Sequence, residues 1–163
     1  MSDKYVILFV CTGNTCRSPM AVGALRVLLE KERPGKYEIM SAGTAAAVGF
    51  PATLYAIEAS KIWDSDLSEH QSQPLTCPLI EKADLVIGMT PGHVAEIVRI
   101  CREAGGKTYL LKSFPQPDRD GEGVEDPIGR SLERYNETFL EIGEYLGKSL
   151  HEIVKRIDEK TNG

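Results

Sequence analysis

Cys11-Thr-Gly-Asn-Thr-Cys-Arg-Ser18 places a thiol and a guanidinium at the two ends of a Cys-x5-Arg spacing. Successive backbone N–H groups that turn into a helix N-terminus form a cradle for an anion, and phosphate is its natural guest. Gly13 is expected to permit the backbone turn that aims those amides inward. Arg17 adds a planar pair of donors that suits two phosphate oxygens, a geometry lysine does not reproduce. The same amides, the helix dipole and Arg17 favour the thiolate of Cys11, which is the nucleophilic form. The plainer alternative makes Cys11 a small buried hydrophobe and Arg17 a solvated helix residue. The surrounding sequence favours the chemistry, with an apolar run before the motif, Gly13 inside it and Ser18-Pro19 at its end.

Tyr5-Val-Ile-Leu-Phe-Val10 is an apolar, β-branched run that stops abruptly at the motif, the pattern of a buried parallel strand. Ser18 as N-cap and Pro19 at the first helical position predict a helix after the loop, with Met20, Ala21, Ala24, Leu25, Leu28 and Leu29 inward. Further strands are predicted at Tyr37 to Ser41, Asp84 to Met89 and Thr108 to Leu111. Helices are predicted at Thr53 to Lys61 with Leu54, Ala56 and Ile57 inward, at Leu79 to Lys82, and at Val94 to Cys101. The segment from Ser113 to Pro127, rich in proline, glycine and acids, is predicted to be loop. Ser131 to Ile157 carries Leu132, Tyr135, Phe139, Ile142, Leu146, Ile153 and Ile157 at helical spacing and predicts a long closing helix. Strands alternating with helices imply an α/β fold whose parallel sheet is covered on both faces, with ligands at the C-terminal strand ends.

The 163 residues suit one domain spanning 1–163 with a substantial core. A net charge of -5 argues against general affinity for nucleic acid or an anionic membrane. With no export signal or apolar run of spanning length in view, the expected location is cytoplasmic. Cys11, Cys16, Cys77 and Cys101 are accordingly expected to be reduced thiols. His70, His93 and His151 are scattered and no second close ligand pair accompanies the cysteines, so no metal and no cofactor are expected.

Val10-Cys-Thr-Gly-Asn-Thr-Cys-Arg-Ser-Pro-Met-Ala21, Ser41-Ala-Gly43, Ala83-Asp-Leu-Val86 and Asp126-Pro127 resemble the low-molecular-weight protein tyrosine phosphatase family over nearly the whole chain. The resemblance implies a three-layer α/β/α fold with a four-stranded parallel sheet and a phosphate-binding loop after the first strand. It implies Cys11 as nucleophile, Arg17 as clamp on the transferring phosphoryl group, and Ser18 as the hydroxyl that hydrogen-bonds the thiolate. Thr12, Gly13, Asn14, Thr15 and Cys16 would complete the substrate-binding loop, with Asn14 holding its shape. Ser41 and His70 resemble the residues that tie Asn14 and Ser18 in place, although a turn hydroxyl and a helix-end histidine are the competing readings. Asp126 resembles the general acid, singled out from Asp118, Asp120, Glu122 and Glu125 by Pro127 and by position. Cys16 would trap an oxidised Cys11 as a disulfide. For Cys77 and Cys101 the expectation is two inert thiols.

What the resemblance implies is a protein phosphatase acting through a phosphocysteine on a phosphorylated protein, as a monomer or weak dimer. Thr15 stands where the tyrosine-specific branch carries Ile or Leu and matches the protein-arginine-phosphatase branch, so phosphoarginine is the expected substrate and phosphotyrosine the alternative. Ile128 departs from both branches, which carry an aromatic residue there. Arsenate reductases of the same fold use two further cysteines close in sequence, whereas Cys77 and Cys101 are 24 positions apart. A phosphate-binding module without catalysis is the remaining alternative, and intact Cys11, Arg17 and Asp126 speak against it.

Overall fold

The computed structural model describes residues 3–162. Seven consecutive buried residues make β1 (Tyr5–Cys11), the central strand its apolar run predicts. β1 pairs in parallel with β2 (Tyr37–Gly43) on one side and β3 (Leu85–Gly88) on the other, and β4 (Thr108–Leu110) adds to β3. The order β2-β1-β3-β4 puts a reversal of winding direction at the C-terminal end of β1, where Cys11 lies.

Alternation along β1 divides the interior. Tyr5, Ile7, Phe9 and Cys11 enter a core shared with α1 (Arg17–Glu32), α2 (Leu54–Ser60) and α5 (Leu132–Thr161), while Val6, Leu8 and Val10 enter a second core. That second core holds Ile80 of α3 (Cys77–Lys82), Ile97 of α4 (Pro91–Ile100) and Cys101. The result is the expected three-layer α/β/α arrangement with four parallel strands among the described residues. No helix among the described residues is long and apolar enough to cross a membrane.

Several local expectations are corrected. α1 begins at Arg17 with Cys16 as its cap residue and no side-chain cap, so Ser18 lies in the first turn instead of capping it. Leu54 points outward, with 79% of its surface exposed, because α2 is only seven residues long and buries Ala56, Ala59 and Ser60. Leu132 opens α5 at the surface rather than the core. Cys77 and Cys101, expected as separate thiols, are joined by a disulfide. Cys77 begins α3 and Cys101 is the cap residue just after α4, and these helices bring the two Cα atoms 5.1 Å apart despite a sequence separation of 24.

Candidate active site

The loop after β1 is shaped by Asn14. Its φ of 59° is the left-handed region, so Asn14 carries the turn that Gly13 was expected to make; Gly13 has no such conformation and a side chain there would meet only Thr15 Oγ1 at 3.6 Å. Asparagine tolerates left-handed geometry better than most residues, and here its side chain is fully occupied. Nδ2 donates to Ser18 Oγ (2.8 Å) and Ser41 Oγ (2.9 Å), while Oδ1 accepts from Gln73 N (2.9 Å). His70 Nε2 bonds the Asn14 carbonyl at 2.6 Å, and burial lowers the pKa of His70 against the smaller raising effect of that bond. Gln73 Nε2 donates to the Ser41 carbonyl at 3.0 Å, closing the ring of contacts behind the loop.

Gly43 shows why β2 must end in a glycine. A Cβ there would lie 2.3 Å from the Thr12 carbonyl oxygen, because the loop backbone crosses directly over it. The close approach lets Thr44 N donate to Cys11 O and Ala45 N to Thr12 O, each at 2.9 Å.

Cys11 Sγ lies 2.9 Å from Ser18 Oγ, and both groups are buried. Since Asn14 Nδ2 already donates to that hydroxyl, the Ser18 proton is free to donate to sulfur. Backbone N–H groups of residues 13–18 have no intramolecular acceptor among the described residues. Arg17 is 5% exposed, unusually deep for an arginine. Its Nη1 donates to the Val124 carbonyl at 2.9 Å and its Nη2 to Thr12 Oγ1 at 3.4 Å, while Nε is buried without a partner. A buried, unpaired N–H on a cation is costly unless an anion completes it. The vacant donors and the thiol share one loop.

Asp126 comes from the late loop, across the sequence, to lie with Oδ2 3.4 Å from Arg17 Nη2 while its side chain is 40% exposed. Val124 positions it, anchored by its N–H on Met89 O (2.8 Å) at the end of β3 and by its carbonyl on Arg17. Ile128 N donates to Asp126 Oδ1 at 3.1 Å, and Ile128 itself stands 58% exposed. Thr15, half-buried, accepts at its carbonyl from Thr53 N (3.0 Å), which fixes the start of α2 beside the loop. Cys16 is a buried free thiol near Tyr135 Oη (3.4 Å) and Thr53 Oγ1 (3.6 Å), and burial with that sulfur contact pushes Tyr135 up to about 12.

The structure therefore assembles Cys11, Thr12, Asn14, Arg17, Ser18, Ser41, His70 and Asp126 around one loop, with Gly13, Thr15 and Cys16 within it. The model of the low molecular weight phosphotyrosine protein phosphatase family matches residues 6–162. The chain belongs to that family. A protein-arginine-phosphatase of Geobacillus stearothermophilus is 43% identical over 131 residues, 80% of this chain and 84% of that one. The protein-arginine-phosphatase of Bacillus subtilis (strain 168) is 36% identical over 150 residues, 91% of this chain and 97% of that one. A solved YwlE arginine phosphatase variant with a phosphorylated active site serine superposes with a TM-score of 0.82 at 35% identity, covering 96% of this chain and 98% of that one.

Sequence reasoning missed His93, Gln73, Thr53 and Val124. The one signal available was Thr90-Pro-Gly-His93, a helix start with histidine where a capping box usually has Glu or Gln. The structure confirms that box, and His93 Nε2 reaches on to Thr12 Oγ1 at 2.9 Å. Burial first, then the positive field of Arg17, lowers His93 to about 4 against an opposing effect of Asp126.

Proposed function

We propose that this chain is a protein phosphatase that removes phosphate from arginine side chains through a phosphocysteine on Cys11. The observation that carries the phosphatase reading is the buried, unpaired Arg17 Nε in the same loop as a thiol 2.9 Å from a serine hydroxyl. An anion bound there completes the guanidinium and lies within reach of sulfur.

In the first step the Cys11 thiolate attacks phosphorus, the S–P bond forms and the P–N bond breaks. Asp126, protonated, gives its proton to the departing guanidine nitrogen. In the second, Asp126 takes a proton from water, the oxygen attacks phosphorus, and the S–P bond breaks to return the thiolate, which Ser18 stabilises. Arg17 and the loop amides hold the equatorial oxygens in both steps. No cofactor enters this scheme.

Phosphoarginine is favoured over phosphotyrosine by Thr15 at the loop's centre and by the names of the two relatives; the acids Glu122 and Glu125 that precede Asp126 are paired with Lys112 and Arg134. Phosphotyrosine keeps one observation of its own, the exposed apolar side chains of Phe50, Leu54, Tyr55 and Ile128, of which Leu54 and Tyr55 follow the Thr53–Thr15 link. The test is kcat/KM for phosphoarginine and phosphotyrosine peptides in wild type and Thr15→Ile. Wild type should prefer phosphoarginine, and the substitution should move the ratio toward phosphotyrosine by more than the roughly 10 to 200-fold of a pure apolar fit. A wild type that prefers phosphotyrosine returns the chain to the tyrosine-specific reading. We place the protein in the cytoplasm on the same reading, a compartment whose reducing poise opposes the Cys77–Cys101 bond.

A further inference from the structure

His93 is 5% exposed and opens α4 on the side of β1 opposite the Asn14 network, yet it touches the phosphate loop. Its two ring nitrogens have different duties. Nδ1 has two contacts with Thr90, the backbone N–H at 3.1 Å and the hydroxyl at 3.0 Å; the N–H can only donate, and the hydroxyl oxygen already accepts from His93 N–H, so Nδ1 is the accepting nitrogen and the ring proton sits on Nε2. Nε2–H must then donate to Thr12 Oγ1 at 2.9 Å, where Arg17 Nη2 also donates at 3.4 Å. Both acceptor sites of the Thr12 hydroxyl are thus filled, and its own proton has to point to a third group. Thr12 is exposed at the mouth, beside the Arg17–Asp126 pair.

We propose that His93 is a positioning residue for phosphoryl transfer, which makes the Thr12 hydroxyl a fixed donor to the bound phosphoryl group and braces the Arg17 guanidinium through Thr12. The inference rests on the phosphatase reading for its kinetic consequence, though not for its hydrogen-bond geometry. The neutral ring suits the task, since burial and Arg17 both disfavour a charged imidazole that would lose the Thr90 bond. A fixed tautomer sets the direction of each bond in the chain Thr90, His93, Thr12.

Side-chain length separates this role from a purely structural one. Asparagine at 93 retains a polar atom near the Nδ1 position, able to accept from Thr90 N–H, but does not reach Thr12. Glutamine, the usual capping-box residue, can reach that far. His93→Asn should keep the melting temperature close to wild type and lower kcat/KM on the order of 10-fold, the scale of one hydrogen bond in the transition state. His93→Gln should recover most of that loss. Thr12→Val should lose a similar factor, and Thr12→Val/His93→Asn should lose no more than Thr12→Val alone, because both remove one linkage. Additive losses, or wild-type kcat/KM in His93→Asn, overturn the proposal.

Ring nitrogen NMR of wild type supplies the arm that does not depend on turnover. The Nε2–H tautomer should be seen at neutral pH, and inorganic phosphate should shift the His93 Nε2 signal in wild type but not in Thr12→Val. The opposite tautomer, or an equal shift in both proteins, overturns the linkage. Wild type that binds phosphate with the expected shift but turns over neither phosphopeptide overturns the phosphatase reading instead.

Discussion

Two cysteine pairs in this chain show how little the residue type determines. Cys11 and Cys16 are five positions apart in one loop and remain free, whereas Cys77 and Cys101 are 24 apart and are bonded. Burial does not separate them, since Cys11, Cys16 and Cys101 are all nearly inaccessible. Their neighbours do. Cys11 faces the Ser18 hydroxyl at the edge of the amide cradle, and Cys16 lies against the Tyr135 and Thr53 hydroxyls. Cys101 instead sits among Leu75, Ile80, Ala83 and Ile97, with Cys77 packed against the same cluster. The first setting gives each sulfur a hydroxyl partner; the second surrounds the pair with hydrocarbon, where a crosslink constrains the unfolded chain.

The sharpest way to break this contrast is to replace one sulfur in each pair. Cys11→Ser should abolish turnover while phosphate or vanadate binding stays measurable, because Arg17 and the amides remain. Cys77→Ser/Cys101→Ser should leave kcat/KM within about twofold of wild type, as a pair outside the site must. Steady-state kinetics with anion titration of both proteins checks the two halves together; retained turnover in Cys11→Ser would sink the mechanism.

Oxidation distinguishes the pairs next. Peroxide should convert the Cys11 thiolate to a sulfenic acid, and attack by the Cys16 thiol should expel water and close a Cys11–Cys16 disulfide, with full loss of activity that a dithiol restores. Peptide mass mapping should find that bridge, with Cys77–Cys101 already bonded before treatment. A cross-bridge between the pairs would contradict the separation of their cores on opposite faces of the sheet.

The smallest effect is on stability. A crosslink closing a loop of this length constrains the unfolded chain by roughly 3 kcal/mol in the chain-entropy estimate. Cys77→Ser/Cys101→Ser should therefore melt lower by several degrees than the oxidised wild type. Reduced wild type should fall to about the same temperature as the double variant. Equal melting of oxidised wild type and variant would mean that the bond adds no net stability.

Much of the fold was legible because its signals are local. The run from Tyr5 to Val10 shows a strand buried on both faces, Gly13 and Ser18-Pro19 show the loop that follows it, and the heptad-like pattern from Tyr135 to Ile157 shows the last helix. Errors fell where a local pattern competes with a global demand. Ser18-Pro19 has the composition of a helix cap, yet the cradle needs Ser18 facing sulfur, so the helix starts earlier. Gly13 is the residue most free to turn, yet the turn falls on Asn14, because only a side chain with donors and an acceptor can tie the loop to Ser18, Ser41 and Gln73.

The order of strands and helices, the Cys11–Ser18 loop and the family to which the chain belongs are all written in contiguous residues or short spacings, and so were readable from the sequence. Tertiary structure alone decided that Asp126 meets Arg17 across 109 positions, that His93 reaches Thr12 across 81, and that Cys77 bonds Cys101. Contacts of that range depend on how strand ends and helix termini converge around the parallel sheet, and no local preference of the residues involved encodes that convergence.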